Sequence, residues 1–290
     1  MHHNGEMATT DPHSNEPADS SRAVSSRSGN PVRSGDPAPS AAPGTGDGTG
    51  TGTAGHAPGS VAHAALLLRW DTLLRSARGG TEGPDPAPYG EDLLHRWAEP
   101  HRRYHATAHL SAVLDRVEEL TARLDEPVPA GDTGDEPALN RCDPDAVRLA
   151  AWFHDAVYRP DRSENEERSA RLAERALPEA GVPARRTAEV ARLVRLTVTH
   201  DPAPDDVNGA LLCDADLAVL AGSPEEYAHY AAEVRQEYAF VPDAAFREGR
   251  TAVLRQLLCL PHLFRTAYAR GHWEQPARHN LTTELRLLAA

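Results

Sequence analysis

Apolar residues recur along residues 61–290 at intervals of three and four, the period of an α-helix with one buried face. The first such segment runs from Val61 to Arg75 and places Leu66, Trp70 and Leu73 on one side. No segment keeps the alternation of a half-buried strand. The sequence therefore predicts an all-α fold, with further helices over residues 91–98, 104–124, 144–153, 164–177, 183–198, 211–220, 224–240, 243–270 and 275–289.

Two features indicate where helices begin. Ser223-Pro224-Glu225-Glu226 predicts a helix start, with Ser as the N-cap, Pro at the first position and Glu at the third. Pro144 is likewise suited to a first helical turn, after a loop over residues 125–143 that is rich in Asp, Glu, Pro and Gly.

Residues 1–60 lack the helical pattern and consist mainly of Gly, Pro, Ser, Thr, Asp and Ala. Such a segment cannot bury enough apolar surface to offset its ordering entropy, which predicts a disordered N-terminal tail. It has neither the apolar core of a signal peptide nor the composition of a transit peptide. Residues 61–290 remain, enough for a single domain with one sizeable core.

Charge and cysteine content narrow the classes of partner. The net charge is −13, and all thirty basic residues are Arg, which disfavours a nucleic acid polymer or an anionic membrane surface. No apolar run approaches the roughly 18 residues of a membrane span. Cys142, Cys213 and Cys259 fit neither a disulfide framework nor a zinc motif and are typical of a reducing compartment. We therefore expect a cytoplasmic protein with a small-molecule partner.

Histidine and aspartate residues interrupt three otherwise apolar segments, which suggests a bound metal and hydrolytic chemistry, because these groups are costly to bury unpaired. His105 and His109 are four apart on a predicted helix and would face the same way, although ordinary polar residues often share this spacing. His154-Asp155 is expected within a buried helical stretch. Of Asp214 and Asp216, either one could instead cap a helix.

The order His, His-Asp, Asp on a helical scaffold resembles the HD superfamily of metal-dependent phosphohydrolases, and within it the small predicted HD-domain phosphohydrolases. The resemblance covers roughly residues 62–288. It is carried by Arg-x-Tyr-His-x-x-x-His at 102–109, Trp-Phe-His-Asp-x-x-Tyr at 152–158, Asn-Glu-x-x-Ser at 165–169, Thr-x-x-His at 197–200 and Asp-Ala-Asp-Leu at 214–217. The segments 235–238, 249–250 and 277–281 are also similar.

The resemblance implies an HD-type helical bundle with additional C-terminal helices and four metal ligands: His109, His154, Asp155 and Asp216. His109 is preferred to His105 because helices of this family usually place an aliphatic residue, here Val113, four positions after the ligand. Asp216 is preferred to Asp214 because the family's last aspartate directly precedes the position of Leu217. These two choices remain open at the level of sequence.

Two nitrogens and two carboxylates suit one divalent Mn, Co, Ni, Fe or Zn ion, and a second ion would need further donors such as His200 and His105. The resemblance further implies hydrolysis of a small phosphate ester or nucleotide by water whose pKa the ion lowers. Glu166, His105 and His200 are the catalytic candidates, with Glu166 as general acid or base. Phosphate-binding candidates are Arg103, Tyr158, Arg235 and Arg250.

Two other functions are compatible with the same residues. An HD-fold module could hold a metal and a ligand without turnover, as a sensor. A di-iron oxygenase on an HD scaffold would need more ligands than the motifs supply.

Overall fold

The computed structural model describes residues 60–124 and 142–289. Within these ranges the chain forms eleven α-helices and no strand, which confirms the predicted all-α class. The predicted tail up to residue 59 and most of the predicted loop, residues 125–141, lie outside the described residues. The helices are α1 Val61–Ala77, α2 Ala87–Trp97, α3 Thr107–Ala122, α4 Pro144–Phe153, α5 Asn165–Glu179, α6 Ala184–Leu196, α7 Val207–Leu217, α8 Pro224–Glu237, α9 Asp243–Cys259, α10 Ala267–His272 and α11 Glu274–Ala289.

Helix α4 lies at the centre of the described core. It packs against α1, α3, α5, α6 and α7, and all its residues from Leu149 to Phe153 are buried. The Asp143 side chain caps its N-terminus by accepting the Ala146 N–H, with proline at the first helical position as expected. At its other end the Trp152 ring meets the ring of Trp70 edge-on, with 5.2 Å between centroids. The last turn of α4 is therefore fixed by aromatic packing.

Helices α3 and α7 pack against each other and both contact α4. The Asp206 side chain caps α7 by accepting the Gly209 N–H. Helix α7 continues into a short 3₁₀ turn over Ala218–Ala221. This three-helix arrangement places the start of α3 and the ends of α4 and α7 at one edge of the core.

The C-terminal helices are attached through specific polar contacts. The Ser223–Glu226 capping box that the sequence predicts at the start of α8 is present, which confirms that prediction. Asn280 of α11 is buried and donates two hydrogen bonds, to the carbonyls of Leu220 and Gly222. These bonds hold α11 against the turn that follows α7.

The single helix predicted over residues 243–270 is wrong. Helix α9 ends at Cys259 and α10 begins only at Ala267. Leu260 precedes Pro261 and adopts an extended conformation, because the proline ring disfavours the helical conformation of the residue before it. The intervening N–H groups of Leu263 and Phe264 are satisfied by the Glu274 carboxylate.

The start of α3 also differs from the prediction. A helix from residue 104 would carry His105 and His109 on one face, but α3 begins at Thr107, after an extended Ala106. The N–H groups of Arg103 and His105 both donate to one Glu237 oxygen, at 2.8 and 2.9 Å. This distant acceptor holds residues 103–105 outside the helix.

The tight packing around α4 predicts that truncating one of its buried side chains lowers the free energy of unfolding. Leu149 is fully buried, so Leu149→Ala should lower the free energy of unfolding by about 2–5 kcal/mol through lost burial and a residual cavity. Leu68→Ala on α1 is the matched control, because Leu68 is 68% exposed and should change that free energy by about 0.5 kcal/mol or less. Urea unfolding measures both, and equal effects of the two substitutions would contradict the central position of α4.

Among the described residues, no helix has both the length and the apolar character needed to cross a bilayer.

Candidate metal centre

Three side chains from three helices converge at the edge of the core. His109 lies in the first turn of α3, His154 is the C-cap of α4, and Asp216 lies in the last turn of α7. The His109 Nε2 atom is 3.2 Å from His154 Nε2 and 3.1 Å from Asp216 Oδ1, and His154 Nε2 is 3.6 Å from the same oxygen. Both histidines are buried. We call these three residues the metal cluster.

The orientation of His154 is fixed from the side opposite the cluster. Its Nδ1 lies 2.8 Å from the Ala151 carbonyl oxygen, which can only accept a hydrogen bond. Nδ1 therefore carries the proton, and Nε2 is the nitrogen directed at His109 and Asp216. A ring nitrogen held by a backbone carbonyl is the usual support of a metal-ligating histidine.

The electrostatics of the cluster favour a positive charge at its centre. Burial lowers the pKa of His154, but Asp155 and Asp216 outweigh it and raise that pKa to about 9. Burial alone would raise the pKa of Asp216, yet the surrounding histidines hold it well below its usual range. The carbonyl ends of α4 and α7 add partial negative charge here. A cation would therefore be stabilised where these groups meet, in competition with a proton.

Asp155 borders the cluster. Its Oδ2 atom is 3.4 Å from His154 Nε2 and 4.0 Å from His105 Nε2. The sequence placed the His154-Asp155 pair inside a helix, which is wrong, because α4 ends at Phe153 and Asp155 follows the C-cap. Leaving the helix allows the Asp155 carboxylate to turn toward the same space as the His154 ring.

Asp214 and Asp216 have different partners. The two oxygens of Asp214 accept the backbone N–H groups of Arg265 and Thr266, each at 2.7 Å. Burial raises the pKa of Asp214 to about 6, against the opposing effect of these N–H donors. Asp214 thus anchors the segment before α10, and Asp216 is the aspartate that the fold brings to the two histidines.

His200 supports Asp216 from outside the cluster. Its Nε2 atom is 2.8 Å from Asp216 Oδ2, so the carboxylate contacts the cluster through one oxygen and His200 through the other. His200 has a φ of 50°, a left-handed conformation that costs a non-glycine residue of order 1 kcal/mol and often marks a functional position.

His105 is held by Glu237, a residue to which the sequence assigned no role. The Nδ1 atom of His105 lies 2.6 Å from Glu237 Oε2, and Tyr158 donates its hydroxyl to that oxygen at 2.9 Å. The Tyr158 ring also stacks on His105, with 4.3 Å between centroids. Together with the two backbone N–H donors described above, Glu237 accepts from four groups. His105 therefore presents only Nε2 toward Asp155.

Arg102 is a second residue that supports the site. It is the first residue of the 102–109 motif, but the sequence analysis gave it no role. Its guanidinium is fully buried and donates to the carbonyl oxygens of His105, Asp155 and Ala156. It thereby ties the segment before α3 to the segment after α4. The spacing of apolar residues in the sequence cannot predict that this arginine is buried, because arginine is ordinarily exposed.

Glu166 lies in the first turn of α5 and is half-buried. Burial raises its pKa, and the charge of Asp155 raises it further, whereas His200 and His105 act in the opposite direction. The charges that act on the pKa of Glu166 are thus those of Asp155, which borders the metal cluster, and of His200 and His105.

The three arginines predicted to bind phosphate all have other partners. The guanidinium of Arg103 donates to the Pro100 and Arg102 carbonyls. That of Arg235 donates to the Tyr238 and Val241 carbonyls and to Asp243. Arg250 forms a nearly buried ion pair with Glu284 and also contacts the Tyr230 hydroxyl. Arg235 and Arg250 thus join segments of the C-terminal half, whereas Arg103 bonds to carbonyls just before it in the chain. Among the described residues, none of these three guanidinium groups forms a hydrogen bond or ion pair with a member of the metal cluster.

The donor set fits a divalent transition ion. Two imidazole nitrogens and one carboxylate converge, an adjoining carboxylate is within reach, and both histidines are supported by further polar or aromatic contacts. Calcium and magnesium prefer all-oxygen sites, which this cluster does not offer. Comparison of the chain with family models, curated proteins and solved structures yields no match, so the chemistry assigned to the site rests on the geometry of its own residues.

Proposed function

We propose that the chain is a metal-dependent phosphohydrolase acting on a small phosphate ester or nucleotide. The observation that carries the proposal is the convergence of His109, His154 and Asp216, with the Nδ1 atom of His154 held by a backbone carbonyl so that Nε2 faces the cluster. Imidazole and carboxylate donors that leave coordination positions free are typical of hydrolytic metal sites.

His109, His154 and Asp216 would hold the ion, with Asp155 as the adjoining carboxylate. When bound, a divalent ion lowers the pKa of water and polarises a phosphoryl oxygen. His200 keeps Asp216 oriented through its second oxygen. His105, fixed by Glu237, can direct a hydrogen bond from Nε2 to a phosphoryl oxygen. Glu166, with its raised pKa, can hold or move a proton at a carboxyl oxygen.

A substrate panel tests the proposal. The protein is loaded with Mn²⁺, Co²⁺, Ni²⁺, Fe²⁺ or Zn²⁺ and incubated with mononucleotides, cyclic nucleotides, dinucleotides and sugar phosphates, and the products are measured. We expect turnover that depends on the metal and is removed by EDTA. Ligand-induced thermal stabilisation without turnover would instead indicate a binding or sensing module. Oxygen consumption with two irons per chain would indicate an oxygenase.

Glu166 offers a more specific test. Glu166→Gln should lower kcat by about 10²–10⁴ while the metal content stays at the wild-type level, because general acid–base catalysis contributes this much. Glu167→Gln is the matched control. Its carboxylate is one residue further on and is paired with Arg171 and Arg195, so its loss should change kcat only slightly. A Glu166→Gln rate within a few-fold of wild type would remove Glu166 from the mechanism.

A further inference from the structure

The loop between the metal cluster and α5 carries arginines that the sequence did not single out. Arg159 and Arg162 lie on this loop, and Arg168 lies in the first turns of α5. All three are exposed, and together with Asp161, Ser163 and Glu164 they line an open cavity of about 520 Å³. We call residues 159–168 the arginine turn.

The backbone of the arginine turn is held in one conformation. The Arg162 N–H donates to the Arg159 carbonyl oxygen at 3.0 Å, closing a β-turn with Pro160 at its second position, where proline is favoured. The buried side chain of Asn165 accepts the Arg159 N–H and donates to the carbonyls of Arg159 and Arg162. These hydrogen bonds therefore fix the backbone positions from which the Arg159 and Arg162 side chains extend, without help from a ligand.

The segment immediately before the arginine turn borders the metal cluster. Asp155 lies 3.4 Å from the Nε2 atom of His154, and the Tyr158 ring stacks on His105. Arg159 follows Tyr158 directly, and the β-turn keeps the Cα atoms of Arg159 and Arg162 within about 7 Å of each other. The Cα atom of Arg162 is therefore within about 11 Å of that of Tyr158, a distance that a small substrate with two phosphate groups can span.

The guanidinium groups of the turn are only loosely engaged. Asp161 lies 3.4 Å from the Nε atom of Arg159 and 3.9 Å from that of Arg162, both longer than the usual 2.7–2.9 Å of a charge-assisted hydrogen bond. The Arg168 side chain makes no hydrogen bond or ion pair with any other described residue. An arginine side chain without a tight partner can bind a phosphate by donating two parallel hydrogen bonds to its oxygens. By contrast, the guanidinium groups of Arg103, Arg235 and Arg250 each donate two or three hydrogen bonds.

We propose that the arginine turn binds a second phosphate group of the substrate, remote from the phosphate bond that is cleaved. The inference rests on the proposed function and narrows its substrate class to small molecules with two phosphate groups. Asp161 then acts as an internal competitor that the second phosphate displaces.

Binding of inorganic phosphate to the metal-free protein in EDTA tests the site without requiring turnover. The triple variant Arg159→Gln, Arg162→Gln, Arg168→Gln should bind phosphate at least about tenfold more weakly in calorimetry. The triple variant Arg255→Gln, Arg270→Gln, Arg286→Gln is the control, since it removes the same charge from exposed positions elsewhere. Asp161→Asn should bind more tightly than wild type. An equal loss in both triple variants, or no gain in Asp161→Asn, would overturn the proposal.

Kinetics separate this inference from the proposed function. A nucleoside 3′,5′-bisphosphate and the matching 5′-monophosphate are compared in wild type and in the arginine-turn triple variant. We expect kcat/KM to fall about tenfold or more for the bisphosphate and to stay within a few-fold for the monophosphate. Equal losses for both substrates would overturn the second-phosphate site. If wild type hydrolyses neither these two nor any other compound of the substrate panel, the phosphohydrolase proposal fails while the calorimetry still decides the binding site.

Discussion

Asp216→Asn should abolish stable metal binding, lowering the affinity for a divalent ion by at least about 100-fold and removing any metal-dependent activity with it. The Asp216 carboxylate is the only negative charge among the three closest donors, and its Oδ1 atom faces both Nε2 atoms, at 3.1 and 3.6 Å. An amide in its place brings no charge. Calorimetric titration with Zn²⁺ or Mn²⁺, together with elemental analysis of the purified protein, measures the change.

Asp214→Asn provides the matched control for this experiment. Asp214 lies two residues earlier on the same helix, but its oxygens accept backbone N–H groups before α10. We expect this variant to keep wild-type metal affinity and to lose stability, because an amide can accept only one of the two N–H donors well. Loss of metal in a folded Asp214→Asn variant would make Asp214 a metal ligand. A full metal equivalent in Asp216→Asn would show that Asp216 is not a metal ligand.

Glu237→Gln should lower the free energy of unfolding by about 3 kcal/mol, since it breaks the pair between a fully buried carboxylate and a partly buried imidazole. One amide oxygen can still accept the backbone N–H groups of Arg103 and His105. The amide nitrogen would then face the His105 ring and the Tyr158 hydroxyl, which both donate to the carboxylate in wild type. Urea unfolding in EDTA measures the loss without a contribution from metal binding.

The pH dependence of that loss has a defined sign. Burial alone would raise the pKa of Glu237, but the His105 charge and the hydrogen bonds to the carboxylate bring it down to about 2, from 4.5. A depressed carboxyl pKa contributes stability that is complete above the unfolded pKa and is lost as pH falls through the folded one. The difference between wild type and Glu237→Gln should therefore shrink between pH 4.5 and 2.

At high pH, the stabilisation by the His105–Glu237 pair is limited by loss of the proton from His105. Burial lowers the pKa of His105, but Glu237 and the neighbouring aspartates raise it by more. That part of the stabilisation is present below the ordinary histidine pKa and is lost as pH rises through the raised one. Glu233→Gln, one turn earlier on α8 and half-buried beside His229, should cost about 1 kcal/mol or less. An effect equal to that of Glu237→Gln would mean that the buried pair is not the source of the loss.

The all-α class was predictable from sequence because each long helix buries one face, and burial of one face imposes the 3.6-residue period. Local chemistry was equally readable where it acts over a few residues, as in the capping box at Ser223 and Glu226. The break between α9 and α10 was also readable, since Pro261 restricts the residue before it. The break was missed because the prediction relied on apolar periodicity alone.

Contacts between distant segments could not be predicted in the same way. The register of His105 depends on Glu237, 132 residues away, which draws the backbone before α3 out of the helix. Arg250 is directed to Glu284 by the packing of α9 against α11, and nothing in the local sequence distinguishes such an arginine from one that binds phosphate. Metal-ligating residue types were recognisable, whereas the residues that orient them were not.

The three members of the metal cluster are far apart in the chain and join three separate helices. An unfolded chain has no comparable arrangement, so an ion that binds them would bind the native state alone and close two long loops at once. At a free ion concentration one hundred times its dissociation constant, this linkage is worth about 2.7 kcal/mol. The temperature at which the protein unfolds would then depend on the metal supply as well as on its sequence.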